Sequence, residues 1–297
     1  MAPRFSVVTP VYDTPEDVLR AAIRSVRRQT FPGWELILVD DCSPSPHVLP
    51  VLEEAEREDP RVRLVRRAEN GGIVAASNDG LAAAFGEFVA LLDHDDELHP
   101  DALREVDAAL RAEPAADYVY TDEDKIDEQG RHFGPFLKPD WSPERLRTQM
   151  YTCHPSVLRR SLVREAGGFR PEFEGAQDWA LVLRVTERAR RVLHVPKILH
   201  HWRTLASSTA GRGEEAKPYA YAAGTRAIQA HCDRVGFPAT VRHDDTYSGV
   251  YHLDPALRSH PRVSIVMPTA GGRRIVRGEE ITLVVHYIRS IVERTTY

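Results

Sequence analysis

The stretch Ala90–Leu98, ALLDHDDEL, turns from apolar to acidic between two neighbouring residues. Asp93, Asp95, Asp96 and Glu97 crowd the end of an apolar run, with His94 among them. Carboxylate oxygens are hard ligands, and a D-x-D pair suits a divalent cation such as Mg2+ or Mn2+ that in turn holds phosphate oxygens. In extended backbone residues i and i+2 point the same way, so Asp93 and Asp95 face one ligand while His94 and Asp96 point elsewhere. Carboxylates this close repel one another, and a cation relieves them. A second candidate is Asp178 in EGAQDWALVLR, which follows a Gly-Ala-Gln turn and opens an amphipathic helix. Attack by an acceptor hydroxyl requires a proton acceptor, and a carboxylate is a common one. On the pattern alone, Asp178 is equally a helix N-cap.

Elements must bring these groups together. RFSVVTPVY reads as a strand, and TPEDVLRAAIRSVRRQ as an amphipathic helix with Thr14 as N-cap and Pro15 at its first position. WELILVDD is an apolar strand closed by Asp40 and Asp41, SPHVLPVLEEAERE a helix, and VRLVRR a third strand. GGIVAASNDGLAAAF follows as a helix and EFVALLDHDD as a fourth strand. Strands without alternation, separated by helices, predict a parallel sheet covered on both faces. Ligands of such sheets bind at the carboxyl ends of the strands, near the point where strand order reverses. Polar groups follow all four strands there: Asp13, then Asp40 and Asp41, then Asn70–Gly72, then Asp93–Asp96.

Composition narrows the function classes. With 297 residues, 42% hydrophobic and 28% charged, the chain can bury a large core or two modest ones. A net charge of -5 gives no basic face for nucleic acid. Lysine occurs only at 125, 138, 197 and 217, which reads as a coding bias and not as a phosphate-binding surface. Cys42, Cys153 and Cys232 are odd in number and far apart, which fits a reducing compartment and neither a disulfide frame nor a zinc site. No segment reaches the roughly 20 apolar residues of a membrane span, and no signal peptide opens the chain. The expected location is the cytoplasm, including the inner face of the membrane through peripheral association.

FSVVTPVYD, WELILVDDCSPS, ENGGIVAASNDGL and EFVALLDHDDEL, in this order, resemble the nucleotide-binding half of a family 2 glycosyltransferase of the GT-A fold. YTDEDKID, PFLKPDWSPE, GGFRPEFEGAQDWALVLRV and HVPKILHHWR extend the similarity over about residues 4 to 210. The resemblance implies an α/β fold with a mostly parallel central sheet flanked by helices. It also implies inverting transfer of a sugar from a UDP- or dTDP-sugar to a glycan or lipid-linked acceptor. Carried over residue by residue, Thr9, Pro10 and Tyr12 would line the nucleotide pocket and Asp40 would bond the base. Asp93 would approach the ribose and the metal, and Asp95 would ligate Mn2+ or Mg2+ directly. Asn70 opens a turn before a helix whose N–H groups could face the diphosphate, and His94 belongs to the same pocket. Many relatives carry a cation after this turn, where Ile73–Ser77 has none, so Arg203 is the substitute considered. Asp178 matches the catalytic aspartate, and Trp179 could stack on a sugar or lie in the core. His201, with His200 as rival, would complete the metal site. Asp122 and Asp124 resemble acceptor-side residues, against the alternative of a solvated turn.

Two other function classes stand beside this one. A phosphohydrolase with a nucleophilic D-x-D places it on the first strand of its fold, whereas here it ends the fourth. A non-catalytic module binding nucleotide sugar or glycan is the remaining alternative. The tail adds a domain expectation. Residues 1–215 would form the transferase domain and 216–261 a small C-terminal helix/hairpin extension with a linker. Residues 262–297 would be the truncated opening of a second module, because RVSIVMP (262–268) repeats RFSVVTP (4–10) and IRSI repeats IRSV.

Overall fold

A computed structural model of the chain describes residues 2–204, 218–256, 259 and 262–295. The first half alternates as expected: β1 (Phe5–Val11), α1 (Glu16–Arg27), β2 (Trp34–Asp40), α2 (Val48–Glu58), β3 (Val62–Arg66), α3 (Gly72–Ala83) and β4 (Phe88–Leu91). Every residue of β2 and of β4 is buried. Their side chains split cleanly by parity. Leu36, Leu38, Phe88 and Ala90 join one core with Leu19, Ile23 and Leu52. Ile37, Val39, Val89 and Leu91 join the other with Val74, Leu181 and Leu183. Burial on both faces is the reason these strands are continuous apolar runs.

The second half adds β5 (Glu97–Leu98), α4 (Ala102–Ala112), β6 (Tyr118–Ile126), β7 (His132–Phe136), α5 (Pro143–Thr148), β8 (Ser156–Arg159), α6 (Arg160–Glu165), a short 3-10 turn, α7 (Gln177–Thr186) and β9 (Val192–Arg203). The sheet runs β3-β2-β1-β4-β8-β6-β9-β5, with β7 paired to β6. Strands β3, β2, β1 and β4 are parallel, as are β6 and β9, while β8 inserts antiparallel between β4 and β6. Strand order reverses at β1, which lies between β2 and β4, so the crevice at their carboxyl ends is the topological switch point.

One local expectation changes, and one open alternative closes. Thr14 does not cap α1: Pro15 holds the cap position, and the Thr14 hydroxyl lies 2.8 Å from His94 Nδ1. YTDEDKID is no solvated turn, because Asp122 and Asp124 lie buried within β6.

The extension forms α8 (Pro218–Val235) and a hairpin of β10 (Ala239–His243) and β11 (Tyr251–Pro255). Its Ile228, Cys232, Val241 and Tyr251 enter the same core as Trp179, so it belongs to the compact unit Met1–Pro255. A second unit, Ala256–Tyr297, contains β12 (Arg273–Val276), β13 (Glu279–Thr282) and α9 (Leu283–Arg294), and no residue of α9 is buried. Residues 262–268, read from the repeat as a strand, have no regular structure. A lone strand leaves its backbone groups without a ladder partner. Among the described residues no helix is long and apolar enough to cross a membrane.

Candidate active site

The strand ends are knitted together by short polar loops. The backbone N–H of Asp13, at φ +51, donates to Ser43 Oγ, and Ser45 donates to the Asp13 carboxylate. Asp40, 6% exposed, accepts the N–H of Ser43 at 3.1 Å. Asp41 has a different task. Its two oxygens accept the N–H groups of Gly71 and Gly72 at 3.0 and 2.8 Å, and Arg67 pairs with it. The start of α3 is thereby taken by the protein's own carboxylate, so these two N–H groups are not free for a diphosphate. Asn70 donates to the Asp41 carbonyl from its side chain. Gly72 sits at φ +80, and a Cβ there would meet Glu174 Oε1 at 3.1 Å, so the turn requires glycine.

Between these loops and α7 lies a cavity of ≈ 60 Å³ lined by Pro10, Asp93, His154, Phe169 and Asp178 among others. Asp93 reaches it from the end of β4 and Asp178 from the first turn of α7. His154 Nε2 stands 3.9 Å from Asp93 Oδ2. Burial pushes the Asp178 carboxyl up and Asp93 adds to this, while His154 opposes it. Gly175 allows this placement: it has φ +95, and a Cβ would fall 2.7 Å from the Tyr219 ring and 3.0 Å from Ala220 Cα. Asp178 and Trp179 are helix neighbours and therefore point about 100° apart. Only the first faces the cavity. Trp179 is 5% exposed, donates from Nε1 to the Leu146 carbonyl and meets Tyr251 edge-on at 5.1 Å, so it is core and does not stack on a sugar.

The acidic loop is held from β9. The Arg203 guanidinium pairs with Glu97 and donates to the Asp95 carbonyl at 3.0 Å, and its backbone N–H donates to Asp96 Oδ1 at 2.9 Å. Arg203 is 6% exposed and fastens the loop, which corrects its reading as a diphosphate contact. Burial raises Asp95, with Asp93 adding to it and His94 opposing. Asp96 and His200 are wholly buried. Their Oδ2 and Nε2 are 3.1 Å apart but misaligned, and both atoms lack a hydrogen-bond partner.

The two histidines of β9 face opposite sides of the sheet. His200 groups with Asp96 and His154. His201 Nδ1 lies 2.6 Å from Asp124 Oδ1, beside His132, and lines another groove that shares no residue with the Asp93–Asp178 cavity. The structure therefore does not bring His201 to Asp93 and Asp95. Asp122 is also committed, accepting the Lys138 N–H and lying 2.8 Å from His194 Nε2. Thr9 is buried with its hydroxyl unpartnered, and Tyr12 is exposed at the rim. His154 is a lone histidine in TCHPSV whose only signal is its His-Pro pair. Lys138, the one fully buried lysine side chain among the described residues, carries no sequence signal either.

The sequence profile described as "Glycosyl transferase family 2" matches residues 6–167. The chain is 41% identical over 297 residues to the "Uncharacterized protein y4gI" of Sinorhizobium fredii, a match that covers 99% of this chain and 32% of that protein. It is 40% identical over 266 residues to the "O-antigen biosynthesis protein RfbC" of Myxococcus xanthus, covering 90% of this chain and 21% of that one. The chain thus spans about a third and about a fifth of these relatives. Among solved structures, S. aureus TarS 1-349 in complex with UDP-GlcNAc superposes with a TM-score of 0.63 at 21% identity, covering 77% of this chain and 66% of that one. The α/β sheet with flanking helices is the fold these two share.

Proposed function

The chain belongs to glycosyl transferase family 2, and on that premise we propose that it moves a sugar from a nucleotide diphosphosugar to a hydroxyl of a glycan or lipid-linked acceptor, with Asp178 as general base. The observation that carries this reading is the convergence of Asp93 and Asp178 on one cavity. The acceptor oxygen attacks the anomeric carbon as its proton passes to Asp178. The bond from that carbon to the diphosphate breaks, its electron pair leaves with the diphosphate oxygen, and attack from the far side inverts the centre. Burial raises the affinity of Asp178 for that proton, the direction a general base requires.

Asp93 and Asp95 would hold Mn2+ or Mg2+. Both offer hard oxygens, and although burial is the main cause that raises Asp95, the repulsion Asp93 adds is what a cation relieves. When bound, the cation would supply Lewis-acid stabilisation of the leaving diphosphate. The nucleotide would lie along Pro10, Tyr12 and Asp40, near Thr9, Asn70 and His94. His201, Arg203, Asp122, Asp124 and Trp179 have other duties and leave the site. TarS was solved with UDP-GlcNAc, which supports a UDP-sugar as donor. RfbC is named for O-antigen biosynthesis, which supports a polysaccharide acceptor, reached in the cytoplasm or at the inner membrane face.

Calorimetric titration of UDP and dTDP with and without Mn2+ tests the reading. Binding is expected to tighten with the metal in the wild type and to lose that dependence in Asp95→Ala. Metal-dependent binding unchanged in Asp95→Ala would remove Asp95 from the site. No binding of UDP or dTDP, with or without Mn2+, would leave a glycan-binding module as the reading for these donors.

A further inference from the structure

We propose that Asp124, His132 and His201 form a second metal site, separate from the donor site and selective for a transition-metal ion of the Zn2+ type. The three residues come from adjacent strands of one sheet, with β6 paired to both β7 and β9. Asp124 and His201 are register partners, and His132 pairs with Ile126, two residues beyond Asp124 on the same face. Asp124 Oδ1 lies 2.6 Å from His201 Nδ1 and Oδ2 lies 3.0 Å from His132 Nδ1. The two imidazoles meet edge to face at 4.5 Å, and one ligand atom from each of the three residues lies within 4.8 Å of the others.

Ligand chemistry selects the ion. Two imidazoles and one carboxylate suit Zn2+, Co2+ or Ni2+, whereas Mg2+ and Ca2+ favour oxygen alone. Three protein ligands leave a tetrahedral ion one open position. A way in exists: His132 is exposed, and His132 and His201 border a groove of ≈ 450 Å³ that also takes in His99, Arg24 and Arg28. Strand positions hold ligands more firmly than loops do. A bound ion would fasten the exposed strand β7 to β9 across β6. The groove shares no lining residue with the cavity of Asp93 and Asp178, so this site is independent of the sugar-transfer reading.

The test uses the full chain without a histidine tag, equilibrated with Zn2+ in excess Mg2+, gel-filtered and analysed by atomic emission. One Zn2+ per chain is expected in the wild type and in Asp95→Ala, with loss of that equivalent in His132→Ala and in His201→Ala. Co2+ substitution should give the intense visible absorption of a four-coordinate site, absent in His132→Ala. His132 is exposed, so its variant keeps the fold, and His132→Asn serves as a second check. A wild type that carries no zinc, or zinc that survives both histidine variants, overturns the proposal. So does zinc lost only in His200→Ala, which would place the ion with Asp96 and His154. None of these results bears on Mn2+-dependent nucleotide binding.

Discussion

Lys138 and Glu123 form a buried ion pair, Nζ to Oε2 at 2.8 Å, that holds the loop carrying His154. Lys138 Nζ also donates to the carbonyls of Thr152 and His154, and Glu123 accepts the His154 N–H at 3.3 Å. Removing one partner of such a pair leaves an uncompensated charge and costs about 3–5 kcal/mol. Lys138→Met should therefore lower stability by that order in urea unfolding, and Lys138→Met/Glu123→Leu should recover part of the loss. Equal losses in the single and double variants would show that the pair itself is not what matters.

Asp178→Asn should keep the fold and nucleotide binding but lose about 100- to 10,000-fold in transfer rate, since it removes the proton acceptor and little else. Product formation from radiolabelled donor measures this. A rate near that of the wild type would place the base on another residue.

Gly175→Ala combines a strained φ with a Cβ that overlaps the Tyr219 ring. A cost of about 1–3 kcal/mol is expected for the backbone alone. Because Gly175 precedes α7, the transfer rate should fall together with the melting temperature. Gly175→Ala/Tyr219→Ala should relieve the overlap and restore part of both.

Acid should destabilise the protein through two carboxylates that do not line the cavity. Burial would raise Asp117, but bonds from Arg190 and Arg159 overcome it and bring it down to about 2. Burial would likewise raise Glu187, which His231 and Arg234 bring down to about 2. A carboxylate lowered on folding stabilises the native state above its unfolded pKa, and that contribution fades as pH falls through its folded one. Stability should thus decline from about pH 4 towards pH 2. In Asp117→Asn a shallower decline over that window is the expected result of denaturation at stepped pH.

Deleting residues 262–297 should leave donor hydrolysis and the main unfolding transition unchanged, because the unit Met1–Pro255 contains both cores and the cavity. Loss of either would make the tail an integral element and end its reading as the opening of a second module.

The four parallel strands were legible because burial on both faces leaves apolar runs such as WELILVD, and their acidic ends marked the crevice. The place of Asp178 at a helix start left it equally a cap, and the family resemblance was what singled it out; in the structure it lines the cavity. What stayed hidden depends on parity and on distant partners. Whether His200 or His201 faces the site is set by register shifts between β6 and β9 at Thr121, Asp122 and Glu123, and a slip of one residue exchanges the two faces. Asp178 and Trp179 are consecutive residues that differ only in which side of α7 they face, which composition does not reveal. Arg203 carries the right charge for a phosphate, but Glu97 and the Asp95 carbonyl claim it, and neither contact has a local sequence signal.

The Asp41 carboxylate seated on Gly71 and Gly72 already occupies two N–H groups at the start of α3. The dipole of α3 is already answered from within, and Arg67 is shared between Asp41 and Asp79. On the proposed reading, a pyrophosphate arriving bare would meet the carboxylates of Asp93 and Asp95, while Arg67 and the first N–H groups of α3 are already engaged. If Asp93 and Asp95 hold the cation as proposed, affinity for the donor should follow the concentration of free divalent ion and collapse under a chelator, and cellular supply of the metal would set the pace of transfer.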